Sequence, residues 1–596
     1  MPSAPAADVA KPDAHPVFPA EKDFRMTAAD SPQIAAEAYL TRLAERGIDY
    51  VFANAGTDFA PIVEALSRSP GSNRKYPRFI TVPHENVAMA MAHGYYRIAG
   101  KPAVVMCHVT VGTANCINGL MNATRDNVPV ILAAGRTPIT ETGHKASRQR
   151  SIHWGQEAFD QGGMVREFVK WDYEFRAGQP VEALVDRALD IAMSEPRGPV
   201  YLTLPREVLC DPAVRPRRDN VRPLGASAPA PSQSAIEEAA RMIARAEFPL
   251  IVTSAAGRSP AAFDALAKLA ADFALPVVQS EARDLNLASD HPMNFGFDVG
   301  PWLPKADVVV VLDSAVPWIP RANQPKRDAK VIHISSDPLL VSYPFREFEA
   351  DLLITGEIHQ AVTMLHTALQ TAMKGQSNGV GSRRTIAAEL AADRDAKRKK
   401  LIETAKNQMP IHPAWLGACL NAAKAKDAII VSELGVPAAQ LDLTQHGSFM
   451  GNMLAGGLGM GLGAALGAKL AAPEREVIAV VGDGSYMFGN PLPFHYVAHA
   501  ESLPTLTIVA NNQSWHAVRR ATLDVYPDGD AAKANIMPLT ELKPSPAFEK
   551  IIEAAGGGFS AKVENPADLP KAIDQALAAV RSGTPAVLNV ATGARS

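Results

Sequence analysis

The sequence predicts an α/β protein built from three consecutive doubly wound parallel-sheet domains. Its 596 residues exceed what one hydrophobic core supports, because domains usually hold ~150–200 residues. Short apolar runs alternate with helical patterns in three separate stretches, as buried parallel strands and their crossover helices do. Two polar segments without such alternation divide those stretches.

The first thirty residues are rich in Ala, Pro and Asp and lack the basic-then-apolar pattern of a signal peptide; a disordered tail (1–30) is expected. The N-terminal domain (31–210) takes its strands from Tyr50-Val-Phe-Ala53, Phe79-Ile-Thr-Val82, Ala103-Val-Val-Met106, Val130-Ile-Leu-Ala133 and Val200-Tyr-Leu-Thr203. Residues 211–232, rich in Pro, Arg, Ala and Ser, read as a linker. A middle domain (233–372) follows, with strands at Leu250-Ile-Val-Thr253, Val308-Val-Val-Val-Leu312, Val331-Ile-His-Ile334 and Leu352-Leu-Ile354. The charged segment 374–406, with Lys397-Arg-Lys-Lys400, reads as a solvated connector helix rather than a functional basic patch. The C-terminal domain (408–596) has strands at Ala428-Ile-Ile-Val431, Val477-Ile-Ala-Val-Val481, Leu506-Thr-Ile-Val509, Phe559-Ser-Ala-Lys-Val563 and Ala586-Val-Leu-Asn-Val590.

A formal net charge of -3 argues against nucleic acid as a partner, since phosphate-tracking proteins carry a basic excess. Cys107, Cys116, Cys210 and Cys419 form no CxxC pair and read as reduced thiols. The small-apolar stretch 454–472 is broken by glycines and carries Lys469, so no membrane span is expected, and the protein is expected in the cytoplasm.

Chemistry concentrates at strand ends. The run 477–481 ends in Gly482-Asp483-Gly484-Ser485, an acidic residue where a parallel sheet opens its ligand crevice. The next run, 506–509, ends in Asn511-Asn512 at the same sheet edge. A carboxylate, an amide oxygen and a nearby backbone carbonyl are the hard oxygen ligands that Mg²⁺ takes when it is shared with a diphosphate. Gly-Asp-Gly alone is also turn chemistry; the pairing with Asn-Asn, 26 residues further on, is the more specific signal. In the N-terminal domain, Glu85 follows the strand 79–82 and opens a helical pattern. A helix-start acid favoured by the dipole is the plain reading of such a residue.

The GDG and Asn-Asn pair resembles the signature of thiamine-diphosphate enzymes. The chain is similar over nearly its whole length to the three-domain branch that includes acetolactate synthase, benzoylformate decarboxylase, pyruvate decarboxylase and benzaldehyde lyase. The resemblance implies Asp483 and Asn512 as metal-binding side chains, Ser514 as donor of a carbonyl ligand, and Gly482, Gly484 and Ser485 around the diphosphate. The spacing is slightly longer than in benzoylformate decarboxylase, with the extra residues near Gly489-Asn490-Pro491. By the same resemblance Leu458, in Gly456-Gly457-Leu458-Gly459, wedges beneath the cofactor and the Gly456 carbonyl accepts from its amino group; close packing of a Gly-rich helix is the other reading of that segment. His84-Glu85-Asn86 resembles the family's HE-x signature and makes Glu85 the cofactor-activating carboxylate. Phe52-Ala-Asn-Ala-Gly-Thr-Asp58 places Thr57 where benzoylformate decarboxylase has a substrate-binding serine. Cys107-His108-Val-Thr-Val-Gly-Thr-Ala-Asn115 places His108 where that enzyme has a catalytic histidine. His291, in Asp290-His291-Pro292, resembles a family loop near the site. Trp515 and His516 begin the segment that lines the substrate pocket in relatives.

The family's middle domain binds FAD in some members; Ala255-Ala-Gly-Arg-Ser259 has one glycine and no dinucleotide fingerprint, so bound FAD is not favoured. Glu85 and Asp483 come from different subunits in the family, which implies a homo-oligomer with the active site between subunits. The expected function is a thiamine-diphosphate- and Mg²⁺-dependent 2-oxo acid decarboxylase or carboligase acting on a small carbonyl substrate. The alternatives are an acyloin or 2-hydroxyacyl-CoA lyase and, more remotely, a non-catalytic regulatory subunit.

Overall fold

The computed structural model describes residues 33–68, 75–215, 221–374, 379–535 and 537–593; the expected tail at 1–30 lies outside the described residues. Three parallel sheets follow one another along the chain. The first contains β1 (Tyr50–Ala53), β2 (Arg78–Thr81), β3 (Ala103–Cys107), β4 (Val130–Arg136), β5 (Asp172–Glu174) and β6 (Val200–Pro205), in the order β2-β1-β3-β4-β6-β5. The second contains β7 (Pro249–Thr253), β8 (Val277–Val278), β9 (Val308–Leu312), β10 (Lys330–Ser335) and β11 (Leu352–Thr355), ordered β11-β10-β9-β7-β8. The third contains β12 (Ile429–Glu433), β13 (Phe449–Met450), β14 (Val477–Gly482), β15 (Leu506–Asn511), β16 (Phe559–Val563) and β17 (Ala586–Ala591), ordered β13-β12-β14-β15-β17-β16.

Every strand expected from an apolar run is present, with ends shifted by at most three residues. The sequence missed β5, β8 and β13, all of them sheet edges. Two of these are two residues long, and β5 is a half-buried Asp-Tyr-Glu, so none supplies an apolar run to read.

The strand orders locate the crevices. The chain leaves β1 towards β2 and then crosses to β3 on the other side; it leaves β12 towards β13 and then crosses to β14. Ligands of open α/β sheets sit beyond the carboxyl ends of strands at such reversals. Here those ends carry residues 54–58 and His108 in the first sheet, and Glu433 and Asp483 in the third.

The outer sheets are joined through two helices, Glu85–Ala99 and Met460–Ala471. Both are buried nearly all round, the pattern of a helix inside a core rather than on a surface. Met91, Ala92, Leu462, Ala464 and Leu466 share one hydrophobic cluster. Glycines allow the close approach: a Cβ on Gly94 would run into the Ala464 carbonyl, and one on Gly467 into the Met91 carbonyl. Gly467→Ala is therefore expected to force the helices apart and destabilise the protein by about 1–3 kcal/mol, read as a lower urea midpoint. The stretch 454–472 is this joint; among the described residues no helix is long and apolar enough to cross a membrane.

The charged segment forms the helix Val380–Ala405, largely exposed as expected, yet it also straps domains together. Buried Arg383 donates to the carbonyls of Phe273 and Ala274, at the end of a middle-domain helix, and Arg398 pairs with Asp442 at 2.7 Å. A second polar joint ties the first two domains: Arg283 donates to Asp126 Oδ1 (3.0 Å), and Arg97 to the Arg283 carbonyl (2.6 Å).

Candidate active site

Glu85 opens its helix beside His84, whose Nδ1 caps it by accepting the Asn86 N–H at 3.1 Å. The carboxylate is buried and accepts one bond on each oxygen, from Asn54 Nδ2 (3.0 Å) beyond β1 and from Asn115 Nδ2 (3.0 Å). A helix-start acid that served only the dipole would face solvent; this one is built into the interior between two carboxamides. Asn54 and Asn115 lie in segments singled out from the sequence, but nothing there marks an asparagine as a carboxylate partner.

His108, just past β3, has Nδ1 against the Asp58 carboxylate and Nε2 3.2 Å from the Gln156 amide. Two glycines make room for the pair: a Cβ on Gly56 would strike the His108 ring, and one on Gly135 the Asp58 carboxylate. Val109 follows at φ 33°, a conformation that is costly for a β-branched residue, with its N–H 3.4 Å from Asp58 Oδ2. The hydrogen bond that His108 donates to Asp58 raises its pKa above the ordinary 6.5; partial burial opposes this, while the charge of Asp58, the Gln156 hydrogen bond and the charge of Glu85 add to the rise. Gln156 Nε2 faces His108 Nε2 while its amide oxygen is buried without a partner among the described residues; turning the carboxamide over would set that oxygen against a protonated ring, which donates from both nitrogens. Sequence reading passed over Asp58 because an acid after Gly-Thr looks like turn chemistry.

Asp58→Asn is expected to return His108 towards 6.5, read by NMR titration of its ring protons. Because the folded value lies above the unfolded one, the pair's stabilisation is complete below 6.5 and is lost as pH rises through the folded value. The stability gap between wild type and variant should therefore close as pH rises across that window.

Thr57 lies beside buried His153, with Oγ1 3.4 Å from Nε2. The Gln149 N–H donates to His153 Nδ1 at 3.1 Å, which puts the proton of a neutral ring on Nε2, facing the threonine. Burial, then Arg206, Arg150 and Arg148, lower this histidine's pKa.

Across the joint, the turn 456–459 faces the N-terminal domain. Asn118 Nδ2 donates to the Leu458 carbonyl (3.0 Å), and Asn122 bonds Gly457 reciprocally, donating to its carbonyl at 2.7 Å and accepting its N–H at 3.1 Å. Asn118 also donates to Asn86 Oδ1 (3.1 Å), next to Glu85. Leu458 is half-buried and Gly456 exposed, with φ 66°.

Asp483 begins a short helix at the end of β14 and is buried. Its Oδ1 accepts the Gly484 N–H at 2.9 Å, whereas Oδ2 and the Ser485 hydroxyl have no hydrogen-bond partner among the described residues. Burial raises the Asp483 pKa, and the nearby N–H groups of Gly484, Gln513 and Ser514 pull it down. A buried carboxylate oxygen without a partner is costly and suits an oxygen-seeking cation. Asn512 Oδ1 accepts the Ser514 N–H (2.9 Å) in a tight turn with Gln513 at φ 55°. Trp515 lies against Gly484, where a Cβ would strike its ring, and meets Phe488 edge-on at 5.8 Å. His516 starts the helix His516–Val525.

His291 does not join this group. Its Nδ1 accepts the Met293 N–H (3.1 Å) and its Nε2 lies 3.1 Å from the Ala267 carbonyl. Both ring nitrogens thus face the middle domain's own backbone within the single chain.

Three family descriptions match the chain in order: the N-terminal TPP binding domain of thiamine pyrophosphate enzymes over residues 34–164, the central domain over 236–365, and the C-terminal TPP binding domain over 432–590. The chain belongs to the thiamine pyrophosphate enzymes. Among relatives of this family, a probable acetolactate synthase of Mycobacterium bovis is 25% identical over 583 residues, covering 95% of this chain and 97% of its own. Benzoylformate decarboxylase of Pseudomonas aeruginosa is 24% identical, covering 80% of this chain and 85% of its own. The solved structure of a thiamine diphosphate-dependent 4-hydroxybenzoylformate decarboxylase from Rhodococcus jostii RHA1 shares the fold with a TM-score of 0.75 at 22% identity, covering 94% of this chain and all of that one.

For a thiamine pyrophosphate enzyme the residues fit the cofactor's two ends, with a clamped carboxylate on one side of the joint and an unpaired one on the other. Within the single chain the joint already brings Glu85's surroundings against the turn 456–459. After β7 of the middle domain, Ala255, Ala256, Arg258 and Ser259 line a cavity together with Asp313, Ser336 and Glu357. Gly257 is filled by packing, since its Cβ would strike the Leu285 carbonyl, and Arg258 is paired with Asp313 at 3.1 Å.

Proposed function

We propose that the protein is a thiamine-diphosphate- and Mg²⁺-dependent decarboxylase or carboligase of 2-oxo acids. The observation that carries this reading is the pairing, across one joint, of the doubly clamped Glu85 with the buried, unpaired Asp483 Oδ2. Asp483, Asn512 and the Ser514 carbonyl would hold Mg²⁺, with Gly482, Gly484 and Ser485 around the diphosphate. Leu458 would lie beneath the rings, and the Gly456 carbonyl would take the amino group. The bound cofactor supplies a nucleophilic carbon and an electron sink next to the substrate carbonyl.

Glu85 holds a proton at the cofactor's pyrimidine ring. His108, whose pKa Asp58 raises, attracts a substrate carboxylate when protonated and moves a proton at Nε2. In its protonated form this centre favours a 2-oxo acid over a neutral aldehyde. Thr57 Oγ1 orients the substrate with His153 behind it, and Trp515 and His516 border the pocket. Similarity to both an acetolactate synthase and a benzoylformate decarboxylase supports the same substrate class.

The test is purified protein with thiamine diphosphate and Mg²⁺, offered aliphatic and aromatic 2-oxo acids while CO₂ and acyloin are followed. Cofactor-dependent CO₂ release is expected. Cleavage of acyloins with no release of CO₂ from any 2-oxo acid would transfer the assignment to the lyase reading.

A homo-oligomer belongs to the same proposal. Met487, Phe488, Leu492 and Tyr496, on the two helices after β14, are exposed apolar side chains, a surface that suits a second copy. The joint that one chain makes with itself is one that two chains can exchange. Mixing Glu85→Ala protein with Asp483→Ala protein is expected to restore activity if the site is shared between subunits, and to leave it absent if each chain completes its own.

A further inference from the structure

We propose that Glu433 is a positioning residue for the cofactor, holding the turn that carries Leu458 by accepting the N–H groups of Gly459 and Gly461. The proposal rests on reading Leu458 as the side chain beneath the cofactor. Glu433 is the last residue of β12, buried, and paired in register with Val481 of β14. Gly459 N–H donates to its Oε1 at 2.7 Å and Gly461 N–H to its Oε2 at 2.6 Å.

Those donors are the free N–H groups that every helix start leaves, here of the helix Met460–Ala471. An ordinary start is capped by a Ser, Thr, Asn or Asp at the preceding position. That position is Gly459, with φ 91°, where a Cβ would run into the Phe488 carbonyl, so it has neither side chain nor room for one. The cap comes instead from a strand 26 residues earlier. Gly461 admits it: a Cβ there would lie 3.1 Å from Glu433 Oε2. The turn is thus gripped from two sides, by Glu433 on the helix side and by Asn118 and Asn122 on Leu458 and Gly457.

A carboxylate is a costly cap in this place. Burial pushes Glu433 up to about 7, with the N–H groups of Gly461, Gly459 and Met460 pulling it down. A hydroxyl or amide would cap more cheaply but donates as well as accepts; only a carboxylate offers acceptors alone to two converging N–H groups. The consequence is stiffness at Leu458, which bending a flexible two-ring ligand requires. The sequence hid this residue because the apolar run ends at Val431, two positions short of it.

The experiment compares two ligands by calorimetry on the full-length apoprotein: thiamine diphosphate with Mg²⁺, and inorganic diphosphate with Mg²⁺. Inorganic diphosphate reaches only the Asp483 end. Glu433→Gln, which sets an NH₂ group against one N–H, is expected to weaken thiamine diphosphate about tenfold and inorganic diphosphate by less than about twofold. Glu433→Asp keeps the charge but shortens its reach, should fall between, and serves if the Gln variant does not fold. Equal weakening of both ligands would mean a general structural role and overturn the proposal. So would unchanged thiamine diphosphate binding in Glu433→Gln while Leu458→Ala weakens it, an outcome that leaves the Leu458 reading standing. If Leu458→Ala binds thiamine diphosphate as wild type does, that reading fails and the proposal falls with it.

Discussion

Glu85→Ala is expected to lower turnover about a thousandfold, the middle of the range for a positioned acid–base group, while cofactor affinity changes little. The separation follows from the geometry. Glu85 lies on the N-terminal side of the joint, whereas the groups suited to Mg²⁺ and diphosphate lie beyond β14 and β15. Glu85→Gln is expected to rescue poorly, because both carboxylate oxygens accept from amide NH₂ groups, at 3.0 Å each, and glutamine offers one acceptor where two are needed. The check is steady-state turnover at saturating cofactor beside calorimetric affinity. Wild-type turnover in Glu85→Ala would remove the carboxylate from the mechanism.

Asp483→Ala is expected to act on the other half of the site, weakening thiamine diphosphate and inorganic diphosphate together by about a hundredfold or more, as loss of a metal ligand exceeds loss of its outer-shell support. Its clearest reading needs no turnover. A ligand that binds only the folded state raises stability by about 2.7 kcal/mol at a hundred times its Kd, so thiamine diphosphate with Mg²⁺ should raise the melting temperature of wild type and leave that of the variant unmoved. Without ligand the variant should be no less stable than wild type, since it loses a buried oxygen that the chain does not satisfy. A full ligand-induced shift in Asp483→Ala would place the metal elsewhere.

These two effects are separable because the site's chemistry was legible in the sequence at strand ends. Asp483 and Asn512 follow apolar runs long enough to read as β14 and β15, and Glu85 follows the run that becomes β2. Strand, polar end and helix start are local features, and local spacing carries them. The motif around His291 is equally local, but its two backbone partners, Ala267 and Met293, are matters of packing.

Partners that arrive from distant segments left no such trace. Asp58 and His108 are fifty residues apart, and what makes them a pair is the space cleared by Gly56 and Gly135. Glu433 meets Gly459 and Gly461 only because β12 lies beside β14 at the sheet's reversal. The sequence by itself determined three parallel sheets and the acids at the strand ends, since apolar period and turn chemistry act over a few residues, and its resemblance to a family pointed to the cofactor class. Tertiary structure alone decided which side chains grip those acids, which histidine has an aspartate against its ring and which carboxylate caps the turn 456–459, because hydrogen bonds and burial act across space that chain order does not measure.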